Sequence, residues 1–137
     1  MRKQFYFLTF FSFFYFTTAN AQTRIQAKEY AFEAAKRMQR SVSPNTGKNA
    51  SAIVSEIEFD SYNKQYVIEM EASWIAGICT FCDDEYFSVK GILTVGLNGS
   101  FPSFKELSRN DAARRAWTDG QVALVFGGVS NLLITIN

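Results

Sequence analysis

The sequence predicts an α+β domain with one long N-terminal helix packed on an antiparallel sheet of about five or six strands, and a second short helix. The first observation is a segment near the N-terminus whose apolar residues recur with a helical period. The second is a series of later segments in which apolar and polar residues alternate, as in half-buried strands. The third is the clusters of Gly, Pro, Asn and Ser between these segments, which are typical of turns.

The N-terminal 21 residues predict export of the chain. Arg2 and Lys3 precede an apolar run from Phe5 to Phe16, and Ala19-Asn20-Ala21 follows as a small-x-small cleavage site. The apolar run is shorter than the roughly 20 residues that span a bilayer. We therefore expect a signal peptide at residues 1–21 and a single domain at residues 22–137, secreted or periplasmic, with no membrane span in the mature chain.

The first predicted element of the mature chain is an amphipathic helix from Ile25 to Arg40. Its apolar arc contains Ile25, Ala27, Ala31, Phe32, Ala34, Ala35 and Met38, and charged residues occupy the other side. The Pro, Gly, Asn and Ser content of Ser41 to Ser51 predicts a loop after this helix.

A β-hairpin is predicted next, because the hydrophobic period changes to two from Ala52 to Asp60 and again from Tyr66 to Trp74. If Asp60 pairs with Gln65, then Phe59 lies opposite Tyr66, and the apolar residues of both strands share one face. The sequence therefore predicts this register as well as the hairpin.

A third strand is expected from Tyr86 to Gly96, with Phe87, Val89, Leu93 and Val95 facing inward. Asn98-Gly99 predicts a two-residue hairpin turn. The following segment, Ser100 to Phe104, is expected to form a short strand, which Pro102 confines to the edge of the sheet.

The C-terminal part predicts a short helix and two strands. The Ser108-x-x-Asp111 spacing is typical of a helix start, so a helix is expected from Arg109 to Thr118, ending at Gly120. Two apolar strands, Gln121 to Phe126 and Val129 to Ile136, are expected around Gly127-Gly128.

Composition excludes several classes of function. The chain contains no histidine, which excludes Ser-His-Asp and Cys-His nucleophiles, imidazole metal sites and a histidine base. The formal net charge is +1, and no basic stripe with interleaved aromatic residues is present, so no nucleic-acid partner is expected. No motif indicates a metal or a cofactor, and we expect neither.

Cys79-Thr80-Phe81-Cys82 is the one motif that carries chemistry. Exported chains meet an oxidising compartment, so we expect Cys79 and Cys82 to form a small structural disulfide. A thiol-disulfide redox site is the alternative, although the acids Asp83-Asp84-Glu85 disfavour the thiolate that such chemistry needs. A zinc site would need four ligands, and a c-type haem site would need histidine where Asp83 stands.

The segment around these cysteines is also a candidate recognition loop. A disulfide would stiffen it, and binding residues concentrate on loops that rigid scaffolds hold. The candidate recognition residues are Phe81, Asp83, Asp84 and Glu85.

Two other constellations are interpreted as structural. Alternation places acidic residues on the outer face of the first hairpin, where a solvated surface is expected with Lys90 offsetting some repulsion. Arg114-Arg115 and Trp117 are interpreted as two solvated arginines beside an apolar helix face, and Trp74 as a core residue. The acidic residues are Glu56, Glu58, Asp60, Glu69 and Glu71.

Together these patterns favour a small exported, non-enzymatic binding or inhibitory domain whose ligand and partner are unknown, with a protein as the candidate partner. Two alternatives stay open. One is a thiol-disulfide enzyme that uses the cysteine pair, and the other is a structural component of a cell-surface assembly.

Overall fold

The fold is taken from a computed structural model, which describes residues 23–117, 121–127 and 132. The predicted signal peptide and the predicted strand from Val129 to Ile136, except for Leu132, lie outside the described residues. The described part has the predicted α+β architecture, in which a helix packs on an antiparallel sheet.

Helix α1 covers residues 23–42, so the predicted helix is confirmed and extends slightly at both ends. Its buried face is made mainly of alanines, which let the helix lie close to the sheet. Two residues of the predicted apolar arc are instead exposed, Ile25 at 60% and Phe32 at 42%. Lys36 lies over the Phe32 ring, 4.8 Å from its centroid, and so covers part of it. The buried residues of the helix are Ala27, Tyr30, Ala31, Ala34, Ala35 and Met38.

The sheet has four strands in the order β1-β2-β3-β4, so among the described residues the expected count of five or six is wrong. Every neighbouring pair is antiparallel. The strands are β1 (Lys48–Asp60), β2 (Gln65–Gly77), β3 (Asp84–Gly96) and β4 (Ser103–Arg109). Strand β1 therefore begins inside the segment that was predicted to be a loop.

The predicted hairpin register is confirmed. Asp60 pairs with Gln65, Phe59 with Tyr66, and Glu56 with Glu69. The register shifts between Val54 and Glu56, where a bulge adds one residue to β1. The four inward residues predicted for β3 are also confirmed, since each is at most 1% exposed.

Asn98 and Gly99 form the predicted turn after β3. Their φ angles are 60° and 77°, as a two-residue hairpin turn with positive φ at both positions requires. The predicted strand from Ser100 to Phe104 is wrong in its bounds, because β4 begins at Ser103, after Pro102. Pro102 therefore precedes the edge strand instead of lying within it.

The second helix, α2 (Asp111–Ala116), is shorter than predicted and begins later. Ser108 belongs to β4, and Asn110 caps the helix because its Oδ1 accepts a hydrogen bond from the Ala113 N–H at 3.0 Å. The Asn110 Nδ2 also donates to the Tyr86 carbonyl at 2.7 Å, which joins the cap to β3.

The predicted strand from Gln121 to Phe126 is also wrong, because Gln121–Leu124 forms a short helix, α3. Val122 and Phe126 are buried, whereas Leu124 between them is 77% exposed. In a strand all three would share one face, whereas a helical turn brings together residues four apart.

The core lies between α1 and one face of the sheet. Trp74, Phe87, Ile68 and Leu93 are among its large sheet residues, and each is at most 1% exposed. At one end of the core, the Tyr66 hydroxyl and the Gln26 Oε1 are 3.0 Å apart, which links β2 to α1.

Candidate functional site

The disulfide loop, residues 78–83, connects β2 to β3 and contains the expected bond between Cys79 and Cys82. The two Cα atoms are 5.0 Å apart, and the Cys82 N–H donates to the Cys79 carbonyl at 3.1 Å. Gly77 precedes the loop at the end of β2. An added Cβ there would lie 2.9 Å from the Cys79 carbonyl oxygen and 3.0 Å from that of Cys82, so glycine allows this close approach.

Both ends of the disulfide loop are attached to the chain where it enters β1. The Thr46 hydroxyl donates to the Gly77 carbonyl at 2.8 Å. On the other side, the Lys48 Nζ is 2.7 Å from the Asp84 Oδ2. The disulfide loop is therefore restrained by a covalent bond, a hydrogen bond and an ion pair.

The structure places the candidate recognition residues in two different environments. Phe81 is 97% exposed and Asp83 is exposed, so both are available to a partner. Asp84 pairs with Lys48, and the Glu85 Oε1 lies 2.5 Å from the Arg115 Nη2. The two ion pairs offset part of the negative charge that the sequence places after Cys82.

An aromatic cluster lies below the loop. The Trp74 and Trp117 rings stack with centroids 5.8 Å apart, and the Phe87 ring is 5.5 Å from that of Trp117. The Trp74 Nε1 donates to the Ser43 hydroxyl at 3.2 Å, which holds the residue after α1 against the cluster. Trp74 is 1% exposed, in agreement with its predicted place in the core.

A cavity of about 200 Å³ lies between this cluster and the disulfide loop. This volume is below the roughly 300 Å³ at which drug-sized ligand pockets begin, and it suits a single side chain better than a whole ligand. Trp117 lines the cavity and is 8% exposed, and its buried Nε1 has no hydrogen-bond partner among the described residues. The other lining residues are Val42, Ser43, Pro44, Asn45, Thr46, Gly77, Ile78, Cys79, Thr80, Phe87 and Ala116.

The sequence contains no signal for this cavity, because its walls come from four separate stretches of the chain, residues 42–46, 77–80, 87 and 116–117. Trp117 was predicted to lie on the apolar face of the second helix, and it is the residue that follows α2. Its carbonyl accepts a hydrogen bond from the Arg109 Nη1 at 2.9 Å, which fixes the end of the helix next to β4. The two predicted solvated arginines are exposed, and each makes an ion pair, Arg114 with Asp111 and Arg115 with Glu85.

The acidic face of the first hairpin is a second place where titratable groups gather. Glu56 and Glu69 lie opposite each other, as predicted. The Lys90 Nζ is 3.9 Å from the Glu71 Oε2, and the Ser88 hydroxyl donates to the Glu71 Oε1 at 2.6 Å. In the part of the chain that the structure describes, no group of three or more His, Cys, Asp or Glu side chains is arranged to hold a metal ion.

The fold and the site define a small α+β domain with a disulfide-braced loop beside a side-chain-sized cavity. No protein-family model, curated protein or solved structure matches this chain. Within residues 23–117 and 121–127, no helix is long and apolar enough to cross a membrane. The disulfide agrees with an oxidising environment for the folded domain.

Proposed function

We propose that this protein is an exported, non-enzymatic binding or inhibitory domain that uses the disulfide loop to contact a protein partner. The observation that carries the proposal is the exposure of Phe81, which is 97% accessible at the tip of a loop restrained at both ends. A few residues near the centre of a protein interface supply most of its binding energy, and aromatic residues, including phenylalanine, are enriched at interfaces. A phenylalanine held in solvent by a covalently closed loop is suited to that role.

Rigidity of the disulfide loop supports the proposal on energetic grounds. Ordering a mobile loop on binding costs free energy, and a loop that is already ordered avoids most of this cost. Ile78, which is 55% exposed, lies next to Cys79 and adds apolar surface beside Phe81. Ile78 also lines the cavity, so an anchor on the partner could enter the cavity while Phe81 contacts the partner surface.

The proposed location is the periplasm or the cell exterior. The basic start, the apolar run and Ala19-Asn20-Ala21 support a cleaved signal peptide. We expect the mature protein to begin at Gln22, which N-terminal sequencing or the intact mass of the exported protein would test. Retention of the Phe-rich segment in the exported protein would contradict this part of the proposal.

Site-specific photo-cross-linking is the sharpest test of the disulfide loop. A photoreactive phenylalanine analogue at position 81 should form a covalent adduct with a protein in cells that export this chain. The same analogue in place of Tyr62 is the matched control, because Tyr62 is 92% exposed at the opposite end of β2. An adduct at both positions, or none at position 81, would count against the disulfide loop as the contact surface.

Once the cross-linked partner is identified, affinity measurements test the anchor directly. Phe81→Ala should weaken binding by about tenfold or more, the size expected for removing an aromatic anchor, whereas Tyr62→Ala should leave binding unchanged. Equal effects of the two substitutions would show that Phe81 has no special role.

A thiol-disulfide enzyme is the rival function, since both cysteines are exposed and therefore accessible to thiols. The bond lies in a connection between two strands and not at a helix N-terminus, where a thiolate would be stabilised. We expect no turnover in an insulin-reduction assay. Turnover that disappears in Cys79→Ser would instead place the protein among the oxidoreductases.

A further inference from the structure

We propose that the outer edge of β1 is a second interaction surface, which binds an extended polypeptide as an additional strand. Strand β1 is at the edge of the sheet, and its only neighbour among the described residues is β2. None of its 13 residues is buried. An edge strand presents unpaired N–H and C=O groups, and addition of an extended peptide to such an edge is a recurrent mode of recognition. The proposal is independent of the disulfide loop.

A groove of about 570 Å³ runs between this edge and the start of α1, within the size range of ligand-binding clefts. Val54, Ile57 and Phe59 form the apolar part of its β1 side, and Phe59 is 44% exposed. Ser55 and Glu56 of β1 also line the groove. A strand added to β1 would point alternate side chains into this groove. Those side chains should be apolar where they meet the apolar residues of β1.

The wall formed by α1 determines the charge of the occupant. Arg24 and Lys28 line the groove, both are exposed, and no acidic side chain of the described residues forms an ion pair with either of them. They lie one helical turn apart, where like charges repel each other. An acidic side chain on the groove-facing side of the added strand would relieve this repulsion.

The opposite face of β1 determines the charge of the remaining side chains. Glu56 and Glu58 are exposed on β1. Glu56 borders the groove and lies opposite Glu69 across the β1–β2 pair. Basic residues on the outward side of the added strand would complement these carboxylates. The partner is therefore an extended segment with apolar and acidic residues on one side and basic residues on the other.

Charge disfavours a second copy of β1 as the occupant. Its Glu56 and Glu58 would add negative charge to a face that is already acidic, and like charges opposite each other destabilise strand pairing.

The other edge of the sheet lacks these features. Strand β4 has seven residues, follows Pro102, and contains a register shift against β3. Short length, proline and bulges are the means by which proteins prevent pairing at sheet edges. Strand β1 has two register shifts, between Lys48 and Ser51 and between Val54 and Glu56, but it pairs regularly with β2 from Glu56 to Asp60, which leaves a regular edge segment there for a partner.

Two synthetic peptides of identical composition test the proposal. In Val-Lys-Glu-Thr-Val-Lys-Glu-Thr, valine and glutamate share one face of a strand. In Val-Lys-Thr-Glu-Val-Lys-Thr-Glu they lie on opposite faces. Titrated into the isotope-labelled protein, the first peptide should shift the amide signals of residues 56–60 and of the α1 turn that contains Arg24 and Lys28. Its dissociation constant should be at least fivefold lower than that of the second peptide.

Protein variants and a modified peptide complete the test. Lys28→Glu should weaken binding of the first peptide by about fivefold, the effect of one surface ion pair, whereas Lys105→Glu on β4 should not. Methylation of alternate peptide nitrogens should abolish binding if main-chain hydrogen bonds provide the affinity.

Three results would overturn the proposal. One is equal binding of the two peptides, and another is no amide shift at millimolar peptide. The third is a concentration-dependent dimer that protects the amides of residues 56–60, because a second copy would then be the occupant.

Discussion

The two connections at opposite ends of β2 each hold an aromatic side chain in solvent, but different forces hold them. The turn from Ser61 to Lys64 exposes Tyr62 and is held by hydrogen bonds to one carboxylate. The disulfide loop exposes Phe81 and is held by a covalent bond and two anchors to the segment after α1.

Asp60 is the centre of the first connection. Its Oδ1 accepts hydrogen bonds from the N–H groups of Tyr62 at 3.0 Å and Asn63 at 3.2 Å, and its Oδ2 accepts one from the Asn63 amide at 2.8 Å. The turn is therefore local and depends on the charge of one carboxylate. The disulfide loop depends on thiol oxidation instead, so pH and redox conditions should affect the two connections separately.

The largest effect should come from opening the disulfide. Replacing Cys79 and Cys82 with serine should lower the free energy of unfolding by about 2 kcal/mol, the chain-entropy contribution of so small a ring, while the domain still folds. Urea denaturation would measure this change. Loss of the fold would show that the bond organises more of the domain than its own loop.

A somewhat smaller effect is expected from Gly77→Ala. The new Cβ would meet the Cys79 and Cys82 carbonyl oxygens, which the ring holds in place, so we expect a loss of about 1.5 kcal/mol. In the double-serine variant the loop can move away, and the same substitution should cost less. Additive effects in this double-mutant cycle would contradict the idea that the ring enforces the close approach.

Sequence reasoning located both connections because each follows a segment with a clear period of two. The agreement of the apolar faces in β1 and β2 determined the register, and a slip by one residue would have moved Ile57 and Phe59 to the face opposite Tyr66 and Ile68. The incorrect secondary-structure prediction lies in a segment that has no such clear period. The apolar run after Gly120 has no single period, and short apolar runs do not distinguish a strand from a buried helix.

The features proposed for function were less accessible to sequence reasoning. The exposure of Phe81 follows from its place within a small disulfide ring, so the sequence could suggest it. The cavity beside Trp117 and the groove beside Arg24 each combine a strand with a distant helix or loop. No local pattern encodes such a juxtaposition, which depends on how the elements pack.

Relief of backbone strain should produce a smaller effect in the first connection. Lys64 has a φ of 51°, a left-handed conformation that costs a non-glycine residue about 1 kcal/mol. Lys64→Gly removes this strain but increases the entropy of the unfolded chain, so we expect a net gain of roughly 0.5 kcal/mol. Thermal unfolding would show it, and the exposed Lys105→Gly in β4 is the control that should destabilise. A loss of stability in Lys64→Gly would mean that the lysine side chain contributes to the turn.

The smallest effect should be the pH dependence of the same turn. Hydrogen bonds from the Asn63 side chain and backbone lower the pKa of the Asp60 carboxyl below its ordinary value. A carboxyl with a depressed pKa in the folded state stabilises the fold above its unfolded-state pKa, near 4, and this contribution is lost as pH falls through the lower folded-state value. The melting temperature of Asp60→Asn should therefore fall less than that of the unaltered protein as the pH is lowered below 4. Asp83→Asn in the disulfide loop should leave this fall unchanged. If the two variants have the same pH profile, Asp60 does not hold its turn through its charge.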